Sequence, residues 1–91
     1  MAWRIEIEAG ARRDLARLDK PVAKRILDFL RDRLATLDDP RCIGEALRGS
    51  RLGAFWKYRV GDYRIVAAIE DGRLCVLVIE VGHRREIYRR R

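Results

Sequence analysis

The chain has a single histidine, two cysteines, two prolines and no long apolar run, and each scarcity narrows the possibilities. Cys42 and Cys75 are too few for a disulfide framework, and neither has partner ligands at metal spacing. With one His and no clustered acids, the residues suggest no metal centre and no cofactor site. No phosphate-cradling glycine loop is present, and no Ser or Cys sits in a motif matched to His83. No apolar stretch approaches the ~20 residues of a membrane helix. The opening MAWRIEIEAGARR lacks the apolar core and cleavage site of a signal peptide, so the expected location is the cytoplasm.

Acidic residues are scarce in one half only. Residues 1–45 hold 10 Lys and Arg against 9 Asp and Glu, whereas residues 46–91 hold 11 against 5. The formal charge of +7 is therefore concentrated in the second half, where it would attract a polyanion. Ninety-one residues, 48% of them hydrophobic, suffice for one modest core, so residues 1–91 are read as a single domain.

The patterning predicts an α+β fold. Trp3, Ile5 and Ile7 alternate with Arg4, Glu6 and Glu8, which describes a half-buried strand over 2–8. From Gly10 the period becomes helical, with Ala11, Leu15 and Leu18 on one side. Asp19 followed by Lys20-Pro21 reads as a break and restart. A second helix then carries the stripe Val22, Ile26, Leu30, Leu34 and Leu37, and Asp38-Asp39-Pro40 stops it. Residues 41–54 read as an irregular, glycine-punctuated loop. Three strands follow, Phe55–Val60, Tyr63–Glu70 and Arg73–Val81, joined by Gly61-Asp62 and Asp71-Gly72 turns. The apolar run LCVLVIEV predicts a central strand covered on both faces. The expected architecture is an N-terminal strand, a two-helix hairpin and three antiparallel strands, in a sheet of roughly four strands.

Within FWKYRVGDYRIV, residues 55–66, strand alternation places Phe55, Lys57 and Arg59 on one face and Trp56, Tyr58 and Val60 on the other. Lys57 and Arg59 should lie roughly 7 Å apart, with Arg64 reaching the same region across the turn. Only Asp62 supplies a nearby acid between residues 46 and 69, so the three cations suit an anion. His83, followed by Arg84 and Arg85, and then Tyr88, are the proton-moving candidates. Without metal or protein nucleophile, the chemistry these residues fit is RNA cleavage by the substrate's own 2′-hydroxyl.

Residues 47–89, LRGSRLGAFWKYRVGDYRIVAAIEDGRLCVLVIEVGHRREIYR, resemble the RelE-type toxins of bacterial and archaeal toxin–antitoxin modules, in the RelE/ParE superfamily. The resemblance rests chiefly on the WKYRVGDYR hairpin and the GHRREIY segment, and the upstream elements fit it in order and length. It implies an mRNA interferase, a metal-independent endoribonuclease acting in the ribosomal A site. It also implies a RelB-like antitoxin partner and contact with operator DNA only through the toxin–antitoxin complex, with no membrane role. The implied catalytic set is Lys57, Arg59, Arg64, His83, Arg84 and Tyr88, with Arg48, Arg51, Arg85 and Arg89 as RNA-binding cations. Family members often carry lysine where this chain has Arg59, which cannot act as a base because guanidinium stays charged. Lys57 is then ranked ahead of His83 as base. The alternatives are a ParE-like gyrase poison of the same fold, or a non-catalytic RNA- or antitoxin-binding relative.

Overall fold

In a computed structural model of the chain, which describes residues 3–47 and 55–83, five strands form one mixed sheet. They are β1 (Arg4–Ile7), β2 (Glu45–Ala46), β3 (Phe55–Val60), β4 (Tyr63–Glu70) and β5 (Cys75–His83), in the order β1-β5-β4-β3-β2. β1 runs parallel to β5, with Arg4 opposite Cys75 and Ile7 opposite Val78, while the other pairs are antiparallel. The α+β class and the order of elements match the sequence reading. The strand count does not: β2 is a fifth strand inside the segment read as an irregular loop. Its two residues are too few for alternation to register, and only pairing with β3 makes them a strand.

Helix α1 (Ala9–Ala16) and helix α2 (Lys20–Asp28) cover one face of the sheet. Asp19 occupies the N-cap of α2 without a side-chain cap hydrogen bond, and Pro21 sits in the first turn, where its missing N–H costs nothing. The helix continues as a π-helical segment, Phe29–Leu34, carrying an Ala35 N–H to Leu30 carbonyl bond of 2.9 Å. This explains why Val22, Ile26, Leu30 and Leu34, spaced by fours, stay on one side. A four-residue step overshoots an α-helical turn by about 40°, and the wider π turn winds that drift back. Ile26, Leu30 and Leu34 are consequently all fully buried.

The core joins those residues to Trp3, Ala11 and Leu15 and to the sheet residues Tyr58, Ile65, Ala67, Val76, Val78 and Val81. β5 lies inside the sheet, between β1 and β4, as its apolar run predicts. It is not covered equally on both sides, because Leu77, Ile79 and Glu80 are only half-buried. Between Val66 and Ala67 the β4–β5 register shifts, leaving Ile79 as the extra residue.

The two turns differ. Gly61 has φ +59, and Asp62 has no positive φ, which fits the type II′ pattern that closes a two-residue hairpin. Asp71-Gly72 is not such a turn: Asp71–Arg73 form a 3₁₀ segment, and Leu74 at φ 47 takes the left-handed position before β5.

β1 ends opposite Val78, so among the described residues the rest of β5 has no strand neighbour on that side. Asp14 of α1 substitutes for one. Its buried carboxylate accepts the Val81 N–H at 3.0 Å, tying the helix to the end of β5 just before Gly82 and His83.

Candidate active site

The register of β3 against β4 settles which cations share a face. Arg59 is opposite Arg64 and Lys57 is opposite Val66, so Lys57, Arg59 and Arg64 project from the sheet face away from the helices. On β5 the position next to Arg64 is Gly82, which adds no side chain. The three cations, with Ile43, Glu45 and Tyr58, line a cavity of about 250 Å³ at the β3 edge of the sheet. Lys57 and Arg64 are half-buried there, and Arg59 is exposed.

One wall of this cavity is the 40–46 segment, held by two anchors. Tyr58 is 2% exposed, and its hydroxyl donates to the Pro40 carbonyl at 2.9 Å. Burial pushes this phenol up to about 12, so it stays protonated in its structural role. The ring lies so close to Gly44 that a Cβ there would come within 2.8 Å of it. The second anchor is Arg41, whose guanidinium donates twice to Asp71, at 2.6 and 3.1 Å, and also to Asp39. Hydrogen bonding to Arg41 holds the Asp71 carboxyl below its ordinary value. Arg41 also lies 6.0 Å from the centre of the Trp56 ring.

The anchored segment brings Glu45, on β2, to 3.6 Å from the Lys57 ammonium. This corrects the expectation that acids are scarce around the cations. Glu45 is twelve residues upstream of Lys57 and meets it only because β2 pairs with β3, opposite Lys57 itself. It is the residue at this site that sequence reasoning missed, and a two-residue strand left no periodic signal to find it.

His83 is placed differently from the cations. It pairs with Tyr63 in the β4–β5 ladder, and the two rings meet edge to face at 5.7 Å and 82°. Tyr63 and His83 alternate with Arg64 and Gly82, so His83 belongs to the helix-side face and does not join Lys57, Arg59 and Arg64. Arg48, Arg51, Arg84, Arg85, Tyr88 and Arg89 lie outside the described residues. Among the described residues, no three of His, Cys, Asp and Glu gather as metal ligands would, and no helix is long and apolar enough to cross a membrane.

The chain is similar to known proteins over nearly its whole length. The family described as ParE toxin of type II toxin-antitoxin system, parDE, matches residues 5–88. Toxin RelE of Mycobacterium tuberculosis is 37% identical over 87 residues, covering 96% of this chain and 87% of that protein. Toxin RelG of the same organism is 32% identical over 90 residues, covering 99% and 100%. The toxin–antitoxin complex RelBE2 of M. tuberculosis contains a chain that superposes with a TM-score of 0.82 at 27% identity, covering 92% of this chain and 93% of that one. A shared fold alone would not show the family, but the family match over residues 5–88 and the 37% and 32% identities do. The chain belongs to the RelE/ParE superfamily, as a RelE-type toxin of type II toxin–antitoxin systems.

Proposed function

We propose that this toxin is an mRNA interferase that cleaves mRNA in the ribosomal A site, using the RNA's own 2′-hydroxyl as nucleophile. The observation that carries the reading is the gathering of Lys57, Arg59 and Arg64 around one cavity on the open face of the sheet. Cations aimed at a phosphate stabilise the extra negative charge that develops on phosphorus, and such preorganised charge is commonly the largest catalytic contribution.

In this mechanism Lys57 takes the proton from the 2′-oxygen, which then bonds to phosphorus. The bond from phosphorus to the 5′-oxygen breaks, leaving a 2′,3′-cyclic phosphate and a 5′-hydroxyl. Arg64 and Arg84 bind the phosphate and its transition-state charge. Arg59 acts only electrostatically. Tyr88 stacks on a base and supplies the proton to the leaving oxygen. The position of His83 on the helix-side face favours Lys57 over it as base. Arg48, Arg51, Arg85 and Arg89 extend the attraction to RNA.

A RelB-like antitoxin is the natural partner, since the RelBE2 relative is a toxin–antitoxin complex. An acidic antitoxin segment would offset the charge of the second half. Operator DNA would be met only through that complex.

The test is cleavage of mRNA on programmed ribosomes, with the product ends identified. A single 2′-deoxy nucleotide at the cleaved position should abolish the reaction, and Arg64→Ala and Arg84→Ala should each lower its rate by about 10²-fold. Cleavage that survives the 2′-deoxy substitution would rule out this mechanism. Tyr88→Phe with unchanged cleavage would reduce the phenol to stacking.

The matching family is described by its ParE members, which favours one second reading, a toxin that poisons DNA gyrase. The cation set around the cavity is what an RNase needs and supports the interferase.

A further inference from the structure

A second cavity, of about 330 Å³, opens beside the first and shares Arg59 and Ile43 with it. Its other lining residues include Arg25, Phe29 and Arg33 of the long helix and Gly61 of the β3–β4 turn. The two cavities meet at the edge of β3. β2 covers that edge only at Trp56 and Lys57, so among the described residues the stretch Tyr58–Val60 has no β2 partner.

Arg25, Phe29 and Arg33 are spaced by fours, and the α-to-π transition keeps such a row on one side, as it does for the core stripe beside it. The row places the backbones of two arginines about 12 Å apart along the axis, with an aromatic residue between them. Phe29 is half-buried against Tyr58, with ring centres at 6.1 Å, and floors the groove. Arg25 packs against Gly61 of the turn, its Nη2 lying 3.6 Å from where a Cβ there would be. Among the described residues, the side chains of Arg25, Arg33 and Arg59 make no ion pair, whereas neighbouring Lys24 is paired with Asp28 at 2.7 Å. Three guanidiniums gathered from two elements around one groove give it a positive potential that favours an anion.

We propose that this groove is a subsite for the phosphate backbone of the RNA strand whose scissile phosphate lies in the first cavity. Arg59 serves both cavities, so the strand passes over the open edge of β3 and contacts Arg25 and Arg33 with its flanking phosphates. Guanidinium suits phosphate because its planar fork can donate two parallel hydrogen bonds. The inference rests on the interferase reading.

The test is fluorescence-anisotropy binding of 2′-O-methyl oligoribonucleotides, which lack the attacking hydroxyl, of about twelve and about three nucleotides. The paired substitution Arg25→Ala with Arg33→Ala should weaken binding of the long oligonucleotide about tenfold at low salt. It should also reduce the slope of log affinity against log salt by about 1.4, two phosphates at about 0.7 each. The short oligonucleotide, which fills only the first cavity, should bind with unchanged affinity. Lys24→Ala with Arg31→Ala removes the same charge from helix positions that do not line the groove, and it should have a much smaller effect. Thermal unfolding of each variant checks that the fold is retained.

Wild-type protein that binds neither oligonucleotide at low salt would overturn this inference, while cleavage on programmed ribosomes decides the interferase reading separately. Wild-type binding that the Arg25/Arg33 pair leaves unchanged would overturn the subsite alone. A poly-glutamate peptide whose binding depends on Arg25 and Arg33, while RNA binding does not, would also overturn it and assign the groove to an acidic protein segment.

Discussion

Arg59 and Arg64 face each other directly across the β3–β4 ladder, two like charges at adjacent positions on one face of the sheet. Directly opposed residues have Cβ atoms about 4.5–5.5 Å apart, where like charges destabilise a sheet by a few tenths of a kcal/mol to about 1 kcal/mol. A strand pair optimised for stability alone would not carry them. Replacing Arg59 with Thr, a good strand former, should raise the melting temperature by a few degrees, since about 1 kcal/mol shifts a domain of this size by ~4–8 °C. The same change should weaken RNA cleavage. A lower melting temperature for Arg59→Thr would mean that the charge opposition is compensated within the protein itself.

Gly44 tests the wall of the cavity. Its φ of −106 is open to any residue, so the demand for glycine there is steric. A methyl group would meet the Tyr58 ring at 2.8 and 3.0 Å, and that ring is buried and held by the Pro40 carbonyl. Gly44→Ala should therefore cost about 1–3 kcal/mol in urea unfolding, the usual range for overpacking. A neutral effect would show that the 40–46 segment yields easily and does not hold Glu45 in place.

Tyr58 gives a pH window. Its folded pKa of about 12 lies above the ordinary 10.0, so folding favours the protonated phenol. The associated stability is fully present below pH 10 and is lost as pH rises through about 12. Urea midpoints between pH 9 and 12 should fall more steeply for the wild type than for Tyr58→Phe. Parallel slopes would mean that the phenol ionises without resistance.

The carboxylate of Asp14 accepts the Val81 N–H where, among the described residues, no strand neighbour does. Asp14→Ala should destabilise the protein by about 1–3 kcal/mol, because it leaves a buried N–H unpaired. Asp14→Asn, whose amide oxygen can still accept, should cost less. Hydrogen exchange at the Val81 amide reads the bond directly: it should accelerate strongly in the Ala variant and modestly in the Asn variant. Equal protection in all three proteins would mean that the bond contributes nothing.

Much of this was legible in the sequence because the signals are local. The Phe55–Val60 and Tyr63–Glu70 strands, the glycine turn between them and the shared face of Lys57, Arg59 and Arg64 all follow from a period of two and one turn type. Apart from the 3₁₀ form of Asp71–Arg73, the features that escaped depend on pairing between distant segments. β2 exists because Glu45 and Ala46 meet β3, and Glu45 reaches Lys57 only through that pairing. His83 shows the same limit. Proximity to arginines in sequence grouped it with the cations, whereas the ladder register sets it on the opposite face beside Tyr63. Arg25 and Arg33 are likewise more than twenty residues from Arg59 in sequence, and only the fold brings them to one groove with it.

The most direct test of the central claim is to induce the toxin in a bacterial host and map mRNA 5′ ends across translated frames. New ends should appear within codons of actively translated messages. They should vanish from a message whose translation is blocked, and from all messages when Arg64 is replaced by Ala. Growth arrest with intact mRNA and a DNA-damage response would contradict the claim and support the gyrase-poison reading.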